Sequence, residues 1–459
     1  MGLNIIILAA GQGKRMCSAL PKVLHPLGGK TMLERVIDVA MKLQPQCIQV
    51  IYGHGGEVLK QTLPNLPVQW VKQEEQLGTG HAVMQALPQI EDDHQVLVLS
   101  GDVPLIQPET LERLLSQSYS PKNGRAPLRL LVTQLEQPTG LGRIIRNTQG
   151  AILAVVEEKD ADAHQRQINE VYSGIYCAKA ADLKRWLPKL SCDNAQQEYY
   201  LTEIISMAVN EDASIVSLCA EDSIEVQGVN DRYQLQVLER QWQQRVAKQL
   251  LLSGVQIADV SRIDIRGELR CGTDVFIDIN TVFEGHVELG EGCRIESNCR
   301  LKDVSVGAHS TIFANSVLEK SQLGDGCQVG PFARLRPGTV LGSACKIGNF
   351  VETKNIVMGE HSKASHLTYL GDAQIGRNVN IGAGTITCNY DGVNKHQTII
   401  EDEVFVGSDT QFIAPVTIGK NATIGAGSTI RKNVPAGELA VTEGKQKTIS
   451  GWRRPQKNQ

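Results

Sequence analysis

The chain predicts an α/β domain, one long helix and a parallel β-helix in series, and three features predict it. Apolar residues return at every sixth position at Leu323, Val329, Leu335, Leu341 and Ile347. They do so again at Ile400, Val406, Phe412, Ile418, Ile424 and Ile430. An apolar run, Ile5–Ala10, leads straight into Gly11-Gln12-Gly13. Between the halves, Arg232 to Leu252 holds no glycine or proline and sets Leu235, Leu238, Trp242, Val246 and Leu250 three or four apart. At 459 residues the chain exceeds one ordinary core. The expected divisions are 1–231, a linker helix over 232–252, and 253–459.

A period of six fits neither a helix, which repeats near 3.6, nor a flat strand, which repeats at two. It fits a coil of short strands, each inserting one aliphatic residue into a continuous core. The repeat is expected to begin near residue 264. It should be interrupted between Ile347 and Ile375, and between Ile381 and Ile400, where Thr387–Lys395 forms a loop. Loops leaving a rigid scaffold are where binding groups gather. None of the eleven cysteines forms a C-x-x-C pair, which argues against zinc. Cys293, Cys299, Cys327 and Cys345 each precede an aliphatic beat residue by two, and so read as small buried corner residues. Cys327 and Cys345 are eighteen apart and should stack if three rungs make a turn. All are expected as free thiols of a reducing compartment.

In the first half, Ile5–Ala10, Ile48–Tyr52 and Val96–Leu99 read as buried parallel strands, with helices near Leu33–Leu43 and Thr110–Ser118. Ligands of such sheets gather beyond the strands' C-terminal ends. Glycines after a strand let backbone N–H groups approach a phosphate, and a following helix adds its positive end. The loop lacks the third glycine of the dinucleotide fingerprint and the G-K-S/T of a Walker A loop. Asp102, just past a strand end, suits Mg²⁺, and equally suits the start of a turn before Pro104. The net charge of -4, with dispersed lysines and arginines, gives no footprint for nucleic acid. No run is long enough to span a bilayer. Ile5–Ala10 is short, with no basic region before it, and reads as a strand rather than an export signal. A cytoplasmic protein is the expectation.

The segments Leu8–Met16, Pro21-Lys22, Gln76–Ala82 and Gly101-Asp102, in that order, resemble the sugar-1-phosphate nucleotidylyltransferases. Along its whole length the chain resembles the family of bifunctional N-acetylglucosamine-1-phosphate uridylyltransferases/glucosamine-1-phosphate N-acetyltransferases. The resemblance implies an α/β nucleotidyltransferase domain with a Rossmann-like mixed sheet, and a left-handed parallel β-helix of hexapeptide repeats. It implies that Leu8, Ala9, Ala10 and Gly11 hold the nucleotide, with Arg15 and Lys22 on its phosphates. Gln73, Gly78 and Thr79 would contact uracil, Ser100, Gly101 and Asp102 would belong to the nucleotide and sugar site, and Asp102 and Asn230 would bind Mg²⁺. Gly142 and Glu157 would contact N-acetylglucosamine. Three positions depart from the family pattern: Lys14 for Thr, Ser100 for an aromatic, and Tyr172 for the Asn of N-[ST]-G.

A lone histidine such as His366 is more often a surface or core residue than a catalyst. The hexapeptide acyltransferases, which use one histidine as general base, imply the opposite here. By the same resemblance Arg336 and Lys354 would take the sugar phosphate, and Tyr369 and Asn380 the sugar. Ala383, Asn389, Tyr390, Ser408 and Ala426 would line the acetyl-CoA side. Glu443 stands where the family tends to have Arg, leaving Lys445 or Lys447 for a coenzyme A phosphate. The implied activity uses UTP and acetyl-CoA as co-substrates with Mg²⁺, in a homotrimer joined through the β-helix. It would make UDP-N-acetylglucosamine for peptidoglycan and lipopolysaccharide precursors.

Overall fold

The computed structural model describes residues 2–11, 13–53, 55–117, 127–442, 444 and 446–453. The residues form two compact units, 1–242 and 243–459.

The first unit is built on a mixed sheet in the order Ile215–Cys219, Leu128–Gln134, Glu170–Lys179, Gln95–Ser100, Leu3–Leu8, Cys47–Tyr52, Gln69–Lys72. The two expected neighbours of the first strand flank it in parallel, with Leu8 opposite both Ile51 and Ser100. Glu170–Lys179 runs antiparallel to both of its neighbours. The first strand is Leu3–Leu8, not Ile5–Ala10: Ala9 keeps one ladder bond, to the Ile51 carbonyl at 2.9 Å, and then the chain turns away. The predicted helices are Met32–Lys42 and Pro108–Ser116, and Ser118 lies outside the described residues. Met32–Lys42 starts on a capping box, Thr31 and Glu34 each accepting the other's backbone N–H.

The helix Arg232–Leu252 contributes side chains to each unit's core. Leu235, Leu238 and Trp242 pack in the first unit, with the Arg35 guanidinium 3.5 Å from the centre of the Trp242 ring. Val246 and Leu250 join the core of the second unit. There Gln243 exchanges both amide bonds with the Ile265 backbone, at 2.8 and 2.9 Å.

The second unit is a parallel β-helix of short strands, each pairing with the strand one coil on. Its first short strand, Gln256–Ile257, already pairs with Phe276–Ile277, so the coil begins ahead of residue 264. Between Ile347 and Ile375 the coil itself runs on without a break, strand pairing with strand throughout. Buried Thr353, Met358, Ala364 and Leu370 carry the coil through, but the strict six-residue count does slip, with five-residue steps from Thr353 to Met358 and from Leu370 to Ile375. Threonine and alanine hide the coil from an apolar count. Thr353 occupies a core position because its hydroxyl pairs with that of Thr339 at 2.9 Å, and Thr387 does the same by donating to the Gly371 carbonyl at 3.0 Å.

The second interruption is real. Lys363 pairs with Asn380, 17 residues on, and Phe405 with Thr423, 18 on, whereas Asn380 pairs with Phe405, 25 on. The surplus is the loop after Cys388. The inward corners form a column of small donors. The Cys293, Cys327 and Cys345 thiols and the Ser310 and Ser362 hydroxyls each reach a glycine carbonyl on the next coil at 2.7–3.2 Å. Burial pushes the Cys345 thiol up to about 11, and all eleven cysteines are unpaired.

Candidate functional site

A cleft of about 650 Å³ opens where the first strand and its neighbour end. Leu8 and Ser100, their last residues, stand side by side in register and both line it. The loop beyond Leu8 adds Ala9, Ala10, Gly11, Gly13, Lys14 and Arg15. No α-helix follows this loop: Lys14–Met16 makes only a short 3₁₀ turn, so the positive charge comes from the Lys14, Arg15 and Lys22 side chains. Gly13 has φ +59, and a Cβ there would lie 2.7 Å from the Lys22 Cβ, so only glycine lets the loop close over Lys22.

Lys22 ties the polar groups together. Its ammonium pairs with the Asp102 carboxylate and lies 3.3 Å from Asn230 Oδ1, while the Ser100 hydroxyl donates to Asp102 Oδ1 at 2.6 Å. The Gly101 N–H is held by the Leu8 carbonyl at 2.9 Å, which sets the turn that carries Asp102. Two oxygens from distant parts of the chain therefore meet at the Lys22 ammonium, beside the glycine loop. Gln73, Gly78 and Thr79 line the cleft as well.

Gly142 and Glu157 meet one another rather than this cleft. The antiparallel pair Arg143–Arg146 and Ile152–Val156 brings them together, with the glycine's bare Cα turned toward the Glu157 carboxylate. Burial raises the Glu157 carboxyl, and the Thr202 hydroxyl, donating at 3.2 Å, opposes that in part. Tyr172, the residue that departs from N-[ST]-G, is buried against this pair, and its N–H donates to the Gly142 carbonyl at 2.9 Å. Burial, with the Glu157 charge second, holds its phenol far above the ordinary tyrosine range.

Sequence reading missed Gln196 and Glu198 on the cleft and quoted Gln76 in a motif without giving it a place there. Gln76 donates to the Ala10 carbonyl, bracing the phosphate loop. Gln196 and Glu198 arrive on a segment whose Tyr199 exchanges backbone bonds of 2.8 and 2.9 Å with Leu77 and Gly80. No local signal marks them, because their position comes from a contact more than a hundred residues away.

In the β-helix the candidate residues lie along two corners. His366 sits in register with Asn349 on the previous coil, and its Nδ1 bonds Asn349 Oδ1 at 2.7 Å. Ala383, Ser408 and Ala426 continue that corner. Each precedes a residue of positive φ (Gly384, Asp409, Gly427), as His366 precedes Leu367. Backbone bonds of 2.7–3.0 Å join Leu367 to Gly384, Ala383 to Asp409 and Ser408 to Gly427.

The other corner gathers Arg336, Lys354 and Asn389. Arg336 pairs with Glu352 at 2.8 Å, and Glu352 lies opposite Tyr369. The neighbouring Lys395 ammonium, a residue not foreseen, lowers the Lys354 ammonium. Asn389 donates to Asp372, which also accepts from Asn355 at 2.6 Å. The loop beyond is tied down by Asp391, which accepts from the Val393 and Asn394 N–H groups at 2.8 and 2.7 Å and meets His396 at 2.7 Å. Tyr390 is exposed on it. Asn380 is on a different face, paired with Lys363 and Phe405. Glu443 and Lys445 lie outside the described residues; Lys447 is exposed.

Residues 5–129 match the MobA-like NTP transferase domain, 265–366 the GMPPB C-terminal domain, and 397–432 six repeats of the bacterial transferase hexapeptide. The chain is 62% identical to the bifunctional protein GlmU of Legionella pneumophila (strain Philadelphia 1) over the full length of both. It is 54% identical to GlmU of Marinobacter nauticus over 99% of each chain. To GlmU of Azoarcus sp. (strain BH72) it is 52% identical, over 99% of this chain and 100% of that one. A nucleotidyltransferase cleft and a hexapeptide coil in one chain, alike from end to end to these proteins, make it a member of the GlmU family of bifunctional proteins.

Proposed function

We propose that the chain carries out two consecutive steps of UDP-N-acetylglucosamine synthesis. The β-helix transfers acetyl from acetyl-CoA to glucosamine-1-phosphate, and the first unit transfers UMP from UTP to the product. The observation that carries the reading is the convergence of Lys22, Asp102 and Asn230 beside the phosphate loop.

In the second step a phosphate oxygen of N-acetylglucosamine-1-phosphate attacks the α-phosphorus of UTP. The bond to the β-phosphate breaks and pyrophosphate leaves. Several negative charges must meet, so positioning and cations supply the catalysis. Lys22 and Arg15 neutralise phosphate, and Gln73, Gly78 and Thr79 hold the base. Asp102 and Asn230 offer two oxygens that reach a common point, a donor set that fits Mg²⁺. Bound there, Mg²⁺ would offset the charge of the phosphates. Gly142 and Glu157 are read as the sugar contacts.

In the first step the amine nitrogen attacks the thioester carbonyl, the C–S bond breaks, and His366 takes the amine proton. Ammonium is not nucleophilic, so the step needs a base, and Nε2 is left for it once Nδ1 is bonded to Asn349. Arg336, Lys354 and Lys395 form a cationic corner suited to the sugar phosphate. Ala383, Ser408 and Ala426 form the narrow track below the histidine suited to acetyl-CoA. The split of these residues between two corners supports a site completed by other copies. So do the exposed corner residues Phe332, Phe350 and Leu367, the two rings stacked with centroids 5.4 Å apart. We read the assembly as a homotrimer joined through the β-helix, in the cytoplasm, feeding cell-wall precursors.

One coupled assay tests the reading on the intact protein. Both CoA release with glucosamine-1-phosphate and pyrophosphate release from UTP with N-acetylglucosamine-1-phosphate are expected. Absence of either from folded protein overturns the corresponding half.

A further inference from the structure

The wall of the cleft that faces the nucleotide base holds an imidazole with more hydrogen-bond donors than it can accept. Gln73 is 2% exposed, and its backbone is fixed by an N–H bond to the Tyr52 carbonyl at 2.8 Å. Its Nε2 lies 3.1 Å from the Gly78 carbonyl and 3.1 Å from His81 Nδ1. Gly78 O only accepts, so the group beside it is the NH₂ of Gln73, whose second hydrogen points at Nδ1. On the other side of the ring, Gln85 Nε2 lies 3.1 Å from His81 Nε2 and 3.2 Å from the His81 carbonyl. The same argument puts an NH₂ there too. A neutral imidazole has one acceptor nitrogen and an imidazolium has none, so one ring can satisfy only one of the two amides.

The contest is unequal. Gln73 is buried with a second anchor on Gly78, and leaving its amide unmet costs more than doing so at Gln85, which is half-buried at the end of the short helix Thr79–Ala86. Gln85 can turn its amide and accept from Nε2–H. His81 then keeps Nδ1 as acceptor, and Gln73 directs its Oε1, which meets no donor among the described residues, toward the cleft it lines.

We propose that His81 is a positioning residue for nucleobase choice: its Nδ1-acceptor tautomer makes Gln73 present a carbonyl oxygen to the base. The inference rests on the reading of this cleft as the nucleotide site. A carbonyl acceptor pairs with a base that carries a ring N–H on its Watson–Crick edge, such as uracil. It repels cytosine, whose ring nitrogen at that edge is itself an acceptor. If the tautomer reversed, Gln73 would turn, show its NH₂ and favour cytosine.

The test is the ratio of kcat/KM for UTP over CTP in the full-length protein with N-acetylglucosamine-1-phosphate. Wild type should favour UTP. Gln85→Lys, a donor-only side chain, forces Nε2 to accept and Nδ1 to donate, and the ratio should fall by about tenfold or more. Gln85→Met removes the competing amide and should leave the ratio unchanged or higher. His81→Phe should lower the ratio, chiefly through a raised KM for UTP. If His81→Phe does not fold, the opposed pair at Gln85 decides. An equal ratio in Gln85→Lys and Gln85→Met, or a wild type that does not discriminate, overturns the proposal. Wild type that turns over neither nucleotide overturns the nucleotide-site reading instead.

Discussion

The two units solve the same problem, bringing distant side chains to one place, in opposite ways. The sheet ends its parallel strands at a common rim, so residues as far apart as Lys22, Asp102 and Asn230 meet inside one cleft of one chain. The β-helix is nearly one-dimensional: each coil touches only its neighbours, and equivalent residues form columns along its edges. A column presents a strip rather than a pocket. His366 and the Arg336–Lys354 cluster accordingly lie on two edges of one face. Concavity comes free with an open twisted sheet.

If the sites are separate, substitutions should separate them too. The largest effect is expected from His366→Ala, which should cut CoA release by about 10²–10⁴-fold while pyrophosphate release stays within error. Asp102→Ala should do the reverse, and loss of both activities in either variant would break the comparison. Next in size are core truncations. Leu238→Ala, in the part of the long helix that packs on the first unit, and Ile347→Ala, inside the coil, should each cost about 2–5 kcal/mol. Calorimetry should show each shifting one of two transitions.

A smaller, pH-dependent effect belongs to the first unit alone. Bonds from Arg185, with help from Trp186 and Lys189, hold the Glu211 carboxyl down at about 2 against an ordinary 4.5. A depressed acid stabilises the fold above its unfolded value and loses that contribution as pH falls through its folded one. The melting temperature of the first unit should therefore drop between pH 4.5 and about 2, and Glu211→Gln should flatten that slope. Exposure of the pair keeps the effect modest. The smallest change is expected from Cys327→Ser. The corner column already mixes thiols with the Ser310 and Ser362 hydroxyls, so urea unfolding should move by no more than about 1 kcal/mol.

Legibility in sequence followed the same division. The beat at Val329, Leu335, Leu341 and Ile347 exposed the coil because each rung repeats the same demand for one aliphatic residue. It failed at Thr353, Ala364 and Thr387, whose fitness for the core depends on a hydroxyl partner on the next coil or on the room left by its neighbours. Asp102 could be placed because strand ends are where sheets bind, whereas Leu8 follows from family resemblance alone. His81, Gln85 and Asn349 could not be seen. Each matters only through another side chain, and such relations appear once the register is known.

The coil that carries the Asn389–His396 loop spends 25 residues where its neighbours spend 17 or 18, and the ladder resumes with no slip of pairing on the next turn. Length added at a corner is therefore invisible to the rungs above and below. That makes each corner a docking port for new chain: a foreign segment grafted beside an existing column would inherit a rigid mount, and the tower could gain chemistry without being redesigned.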